Sequence, residues 1–269
     1  MNLLERNLMT KWWGDVEFEL NEAKCWRIGR RQIVVQRKER EWLIWNDETK
    51  EESFDTLQLE TLTDVDSLAD VPLQRFLVDK TQNLLSVIPA LADRSVIIRP
   101  SSVLSLLPGE KTQLYVSSPL WLKFATHGTN LPLTDLPFWL PSDSWFGLST
   151  MLGELCYAKY TDAKVAFVNI EKRSHRAITT INISNEHEEP LTIQRINLAT
   201  PFLDLYADTD NQFWTDTVCL THNENNDRPS FEIKRLNTKN SKSAHTLVCS
   251  ARQIADKFMF MRSIRSLVA

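Results

Sequence analysis

The sequence predicts a mainly β protein, with two antiparallel sandwich-like halves and a C-terminal amphipathic helix. Short segments in which apolar and polar residues alternate recur along the chain, and this is the pattern of strands with one buried face. Prolines and Pro-Gly or His-Gly pairs separate these segments at the spacing typical of sandwiches and barrels. The 269 residues suit one large β domain or two small ones.

The first half, residues 1–140, begins with an antiparallel meander. Residues 16–20 alternate with period two, and residues 26–28, 32–36 and 41–45 have the composition of further strands. The stretch 24–40 carries seven Lys or Arg against one Glu. Later strands of this half are predicted at residues 95–99, 103–106, 112–116 and 120–126.

Between these strands, residues 47–70 hold nine acidic residues and one Lys. The lack of periodicity predicts an exposed acidic connection, and the alternative is an acidic arm that folds over the basic meander. Residues 73–85 have partial helical spacing and predict a short helix.

The second half, residues 141–269, repeats the β pattern at residues 177–184, 191–198, 202–206, 213–220, 231–236 and 245–249. Residues 250–269 then predict an amphipathic helix with Ser250 as its N-cap. This helix either closes the core or docks on a partner or an anionic membrane. The candidate partner surface is its basic side, which comprises Arg252, Lys257, Arg262 and Arg265.

Composition narrows the function. A net charge of −4 argues against nucleic-acid binding. The four cysteines and five histidines form no metal-ligand spacing, and six glycines leave no phosphate-binding loop, so we expect no metal and no cofactor. Widely spaced cysteines, no signal peptide and no run of about 18 apolar residues predict a soluble cytoplasmic protein.

The candidate binding site lies at residues 141–158, where unusual residue types cluster. Its members are Asp143, Trp145, Phe146, Glu154, Cys156 and Tyr157. Alternation would place Glu154 and Cys156 on one strand face and Leu155 and Tyr157 on the other. A catalytic thiol needs a group that lowers its pKa, and no His lies nearby in sequence. Trp145 and Phe146 would either line a pocket or plug the core.

Several motifs, including this cluster, resemble those of a known family. They are Arg40-Glu41-Trp42, residues 89–94 with Arg99-Pro100, residues 107–109, 115–117 and 119–121, residues 142–147 and 153–158, and Pro190-Leu191 with Arg195 and Leu198. Together they resemble domain-of-unknown-function family 432 of bacteria and archaea, over about residues 12–265. Ser144 departs from the family pattern, which has Thr there. The resemblance implies no catalytic residue. It does imply proximity of some family genes to mechanosensitive-channel genes.

These observations favour a non-catalytic binding or accessory protein, with a protein partner that is membrane-associated, such as a mechanosensitive channel. The alternative is a hydrolase, or a small-molecule or carbohydrate-binding domain, with a cleft at residues 143–157. Sugar binding would require flat, exposed Trp side chains on one sheet face.

Overall fold

The computed structural model describes residues 12–29, 31–48, 54–100, 102–139, 141–147, 153–158, 162–170, 172–223, 230–236 and 245–254. Regular structure in these ranges is β-strand, apart from single 3-10 turns at Asp66–Leu68, Phe167–Asn169 and Thr200–Phe202. The predicted mainly β class is confirmed. None of the helical segments in these ranges has the length and apolarity to cross a bilayer.

The strands in chain order are β1 (Gly14–Glu17), β2 (Ala23–Gly29), β3 (Arg31–Arg37), β4 (Glu41–Glu48), β5 (Phe54–Leu62), β6 (Leu73–Leu77), β7 (Leu84–Ala90), β8 (Val96–Pro100), β9 (Leu104–Leu106), β10 (Lys111–Pro119), β11 (Trp121–Thr126), β12 (Pro132–Pro137), β13 (Asp143–Phe146), β14 (Glu154–Tyr157), β15 (Asp162–Lys164), β16 (Arg176–Glu186), β17 (Leu191–Ile193), β18 (Ile196–Leu198), β19 (Leu205–Ala207), β20 (Phe213–Thr215), β21 (Thr217–Asn223), β22 (Ser230–Lys234) and β23 (Thr246–Cys249).

The chain divides into two compact units, and the first comprises Met1–Ala90, Trp121–Trp139 and Arg173–His175. Its described strands form two antiparallel sheets, ordered β1-β7-β11-β12 and β5-β2-β3-β4-β6. Trp26 of the second sheet meets Phe124 of the first edge to face, with ring centroids 5.6 Å apart. Phe18 contacts both Trp26 and Trp42. The two sheets therefore share an aromatic core, to which the meander contributes Trp26 and Trp42.

The acidic stretch contributes a strand to this unit. β5 pairs antiparallel with β2, and Glu60 lies opposite Cys25 in that register. The Glu60 carboxylate forms a 3.1 Å ion pair with Arg27 of β2. Part of the acidic stretch therefore lies directly against the basic meander, where the two opposite charges attract.

The helix predicted at residues 73–85 is wrong. β6 pairs antiparallel with β4, and β7 pairs with β1 and β11. The Arg75 guanidinium donates two hydrogen bonds to the Glu41 carboxylate, a bidentate pair across β4 and β6. Partial helical spacing did not decide the structure here because cross-strand pairing outweighs local propensity.

The second unit comprises Leu91–Leu120, Leu140–Lys172 and Arg176–Ala269. Twelve of its described strands form one sheet, whose main path is β13-β14-β8-β15-β10-β16-β20-β19-β23. β16 pairs antiparallel with β10 along one edge. Along its other edge it pairs in parallel with β20 and then β21. The pairings of this sheet are therefore mixed, whereas those of the first unit are antiparallel.

A buried carboxylate links several segments of this sheet by hydrogen bonds. Asp216, between β20 and β21, is 0% exposed. It accepts hydrogen bonds from the backbone N–H of Asp204 at 2.8 Å, the hydroxyl of Tyr206 at 3.1 Å, the guanidinium of Arg235 and the backbone N–H of Leu236 at 3.0 Å. Burial, together with the nearby Asp216, raises the pKa of Tyr206. The charge is thus compensated by four donors.

The predicted C-terminal amphipathic helix is not supported. Residues 250–254 have no helical structure, and residues 255–269 lie outside the described residues. The N–H of Ala251 donates to Asp204 Oδ1 at 2.7 Å, and that of Gln253 donates to the Pro201 carbonyl at 3.0 Å. Ser250 is therefore no N-cap, because the following backbone bonds to another segment and not along its own chain.

Candidate functional site

The predicted site is a β-hairpin formed by β13 and β14. Their antiparallel register pairs Asp143 with Tyr157, Trp145 with Leu155, and Phe146 with Glu154. Because side chains alternate along a strand, Asp143, Trp145 and Tyr157 lie on one face of the hairpin, and Phe146, Glu154 and Cys156 lie on the other. The structure thus brings all six residues together but divides them between two faces.

The inner face is core. Phe146 is 1% exposed and Cys156 is 0% exposed, and both pack with Ile97 of β8. The guanidinium of Arg195 lies 5.2 Å from the centre of the Phe146 ring. Burial, with the neighbouring Glu154 charge, raises the pKa of the Cys156 thiol to about 12. This thiol stays protonated at neutral pH, the opposite of what a nucleophilic cysteine requires.

Glu154 serves the neighbouring strand. Its Oε1 accepts a hydrogen bond from the side-chain amide of Asn197 on β18, a residue that is itself buried. Asp143 is exposed and lies on the opposite face. Asp143, Glu154 and Cys156 therefore do not line one cleft, which the hydrolase hypothesis needs.

At its Tyr157 end, the outer face carries a group of polar contacts that the sequence analysis did not predict. Arg94 forms a 3.1 Å ion pair with Asp143 and lies 5.4 Å from the centre of the Tyr157 ring. The Tyr157 hydroxyl donates to Asp93 Oδ1 at 2.9 Å. Burial, together with this hydrogen bond, raises the pKa of Tyr157 to about 12. The available signal was the motif at residues 89–94, which entered only through the family resemblance.

Farther along the outer face, two large apolar side chains are exposed. Trp145 is 41% exposed and its cross-strand neighbour Leu155 is 46% exposed. Gly153 makes room for the indole, since a Cβ on Gly153 would collide with the Trp145 ring and lie 2.7 Å from the Phe146 carbonyl oxygen. The glycine therefore allows the indole to lie against the backbone at this position, next to the exposed Leu155.

The hairpin also carries a strand edge. Among the described residues, β13 pairs with β14 alone, and it is the last strand on its side of the sheet. β14 is joined to the rest of the sheet by the pair Tyr157 and Val96. Within the part of the chain that the structure describes, the second edge of β13 therefore has no paired strand, and an added strand could bond to its backbone groups.

A family model described as "Protein of unknown function (DUF432)" matches residues 12–267. The chain belongs to this family. The DUF432 match spans the hairpin and both compact units, and it confirms the resemblance seen in the motifs. No curated protein and no solved structure matches the chain.

The predicted partner surface of this DUF432 protein is described at one position. Arg252 is partly buried and donates its Nε–H to the Leu91 carbonyl at 2.8 Å, so it connects two segments of the second unit. Lys257, Arg262 and Arg265 lie outside the described residues. Within the described ranges, no three or more His, Cys, Asp or Glu side chains are grouped so that they would hold a metal ion.

Proposed function

We propose that this DUF432 protein is a non-catalytic binding module that attaches to a protein partner through the β13–β14 hairpin. The observation that carries the proposal is the exposed Trp145, held over Gly153 beside the exposed Leu155. Tryptophan is strongly enriched among the residues that dominate binding energy at protein interfaces, especially where it is fixed before binding.

The mode of attachment that fits this hairpin is strand addition. An extended segment of the partner would pair with the edge of β13 that has no neighbouring strand among the described residues, and its side chains would contact Trp145 and Leu155. Backbone hydrogen bonds then supply affinity, and the apolar pair supplies specificity. Asp143 lies beside this apolar pair on the same face of the hairpin. Its carboxylate is ion-paired with Arg94 at 3.1 Å and forms part of the polar rim of the surface.

The inner face of the hairpin supports binding over catalysis. Cys156 is buried with a raised pKa, and the Glu154 carboxylate is engaged by Asn197. Sugar binding has less support, because it would require several exposed Trp side chains on one sheet face, and among the described tryptophans Trp145 is the one that is exposed.

We further propose that the partner is a membrane protein, with a mechanosensitive channel as the first candidate. The support is the gene neighbourhood implied by the family resemblance. We place the interaction in the cytoplasm, because Cys25, Cys156, Cys219 and Cys249 form no disulfide, as is usual in a reducing compartment.

The test is affinity capture of the tagged protein from its own cells in mild detergent, followed by mass spectrometry. We expect a reproducible membrane protein. Replacing Trp145 by Ala should weaken its binding at least about 30-fold, the effect of losing a strong interface residue. Gly153→Ala should also weaken it, because the new methyl group displaces the indole while leaving Trp145 in the chain.

The matched control is Leu77→Ala in the first unit, where the leucine is 80% exposed. It removes a similar exposed apolar side chain and should leave capture unchanged. Thermal unfolding of all variants confirms that each is folded. Equal recovery of the same partner by wild type and by Trp145→Ala would show that this hairpin is not the attachment surface.

A further inference from the structure

A groove on the second unit, independent of the hairpin, has the features of a small-molecule site. It lies along β10, β16, β21 and β22 and has a volume of about 550 Å³. This is within the usual range of ligand pockets. Its lining includes Lys111, Gln113, Asn182, Cys219 and Lys234. The pairing registers place Gln113 opposite Asn182, and Asn182 opposite Cys219, so these three side chains form a row across the floor.

The hydrogen bonds along this row run in one direction. The Tyr115 hydroxyl donates to Gln113 Oε1 at 2.6 Å, and Gln113 Nε2 donates to Asn182 Oδ1 at 2.8 Å. The Asn182 Nδ2 group lies 3.9 Å from the Cys219 sulfur. Both amide oxygens are therefore engaged. Since each amide carries two N–H groups, the contacts between described residues leave one N–H of each amide to face a ligand.

The charges at the ends of the groove favour the same kind of ligand. Lys111 and Lys234 lie on β10 and β22, on opposite sides of the floor. Lys234 is 3.9 Å from Glu232, whereas Lys111 has no acidic partner among the described residues. Glu186 also lines the groove and keeps its negative charge, and its Oε1 accepts the Ser184 hydroxyl at 3.2 Å. The feature available to an anionic ligand is therefore the Lys111 ammonium, which has no acidic partner within ion-pair distance among the described residues, together with the amide donors.

We propose that this groove binds a small carboxylate-bearing molecule rich in oxygen acceptors, either a polycarboxylate or a sugar acid. The Lys111 ammonium pairs with a carboxylate, and the amide N–H groups of Gln113 and Asn182 donate to further oxygens. Hydrogen bonds between a charged group and its partner are the stronger ones, so Lys111 supplies most of the affinity.

Cys219 provides a reporter inside the groove. Cys25 and Cys156 are buried, and burial raises their pKa values to about 11 and about 12, so both react slowly with thiol reagents. Cys219 and Cys249 are partly exposed. In a Cys249→Ser background, labelling by a maleimide therefore follows Cys219, and a ligand over the floor will slow it.

The experiment measures the rate of this labelling with citrate, glucuronate, glucose or inorganic phosphate at matched ionic strength, and affinity by calorimetry. We expect citrate or glucuronate to protect Cys219, and the stronger of the two identifies the source of the carboxylate. Lys111→Met should weaken that ligand at least about tenfold, as expected for one charge-assisted hydrogen bond. Lys80→Met, an exposed lysine of the first unit, is the matched control and should change nothing.

Three results would overturn the proposal. One is absence of protection by either acid at millimolar concentration. Another is equal protection by glucose, or protection by phosphate alone, because the carboxylate would then not be what is recognised. The third is unchanged affinity in Lys111→Met. The hairpin variants leave this groove intact, so failure here and failure of the proposed attachment surface are distinguishable.

Discussion

Replacing Asp216 by Ala is expected to lower the free energy of unfolding by about 3–5 kcal/mol, because several hydrogen-bond donors lose a buried charged acceptor at once. The carboxylate is fully buried and accepts four hydrogen bonds, two of them from backbone N–H groups. Its loss leaves these buried donors without a hydrogen-bond acceptor. It also leaves Arg235 with Asp204, 3.1 Å away, as its remaining partner among the described residues.

Denaturant unfolding of the variant measures this change. Asp210→Ala is the matched control, because Asp210 is exposed and should shift the free energy of unfolding little. Tyr206→Phe should cost about 1 kcal/mol, the net worth of a single hydrogen bond. Its effect should be smaller when Asp216 is already Ala, since the hydroxyl then keeps, among the described residues, the longer 3.4 Å hydrogen bond to Asp204 Oδ2. An Asp216→Ala protein as stable as wild type would mean that the carboxylate does not hold this end of the sheet.

Stability should fall steeply at alkaline pH. Burial raises the pKa of Cys25 to about 11 and of Cys156 to about 12, from an ordinary value of 9.0. The pKa of Tyr157 is raised to about 12 from 10.0. Folding thus favours the neutral form of each group. This stabilisation is complete below about pH 9 and is lost as the pH rises toward 12. Each tenfold change in proton affinity is worth about 1.4 kcal/mol, so the loss amounts to several kcal/mol.

Urea unfolding between pH 7 and pH 11, with a reductant present to keep the thiols free, measures this dependence. A Cys156→Ala variant removes one of the titrating groups, so its stability should decline less steeply above pH 9, whatever its stability at pH 7. A flat stability curve up to pH 11 would contradict the expectation, because buried thiols and phenols would then be titrating as they do in the unfolded chain.

Local sequence patterns predicted the strands of the meander. Alternation indicated a strand at residues 16–20, and strand-like composition indicated those at residues 26–28, 32–36 and 41–45, where the structure has β1 to β4. Local patterns failed at residues 73–85, where Phe76 and its neighbours have partial helical spacing but lie in strands. Their structure depends on pairing with β4, about 30 residues earlier, and no local window contains that information.

At the candidate site, too, local alternation was predictable from the sequence and burial was not. Alternation alone puts Glu154 and Cys156 on one face of β14 and Leu155 and Tyr157 on the other, and the strand has this arrangement. The sequence could not tell that Tyr157 is buried while Leu155 is exposed. That difference comes from Arg94 and Asp93, which reach Tyr157 from a segment about 60 residues away. Nor could it separate Trp145 from Phe146, whose roles depend on which face of the hairpin meets Ile97.

The position of β8 bears on how fast the second unit reaches its native state. β8 pairs with β14 at Val96, with β15 at Arg99 and Pro100, and with β18 at Val96–Ile98, so all three partner strands come from roughly 60 to 100 residues later in the chain. Loops of that length must close before either edge is satisfied, which makes refolding slow, in the range of milliseconds to seconds or longer. During synthesis both edges of β8 stay unpaired until these later strands have been made. In that interval other chains can pair with β8, and chaperones can bind it.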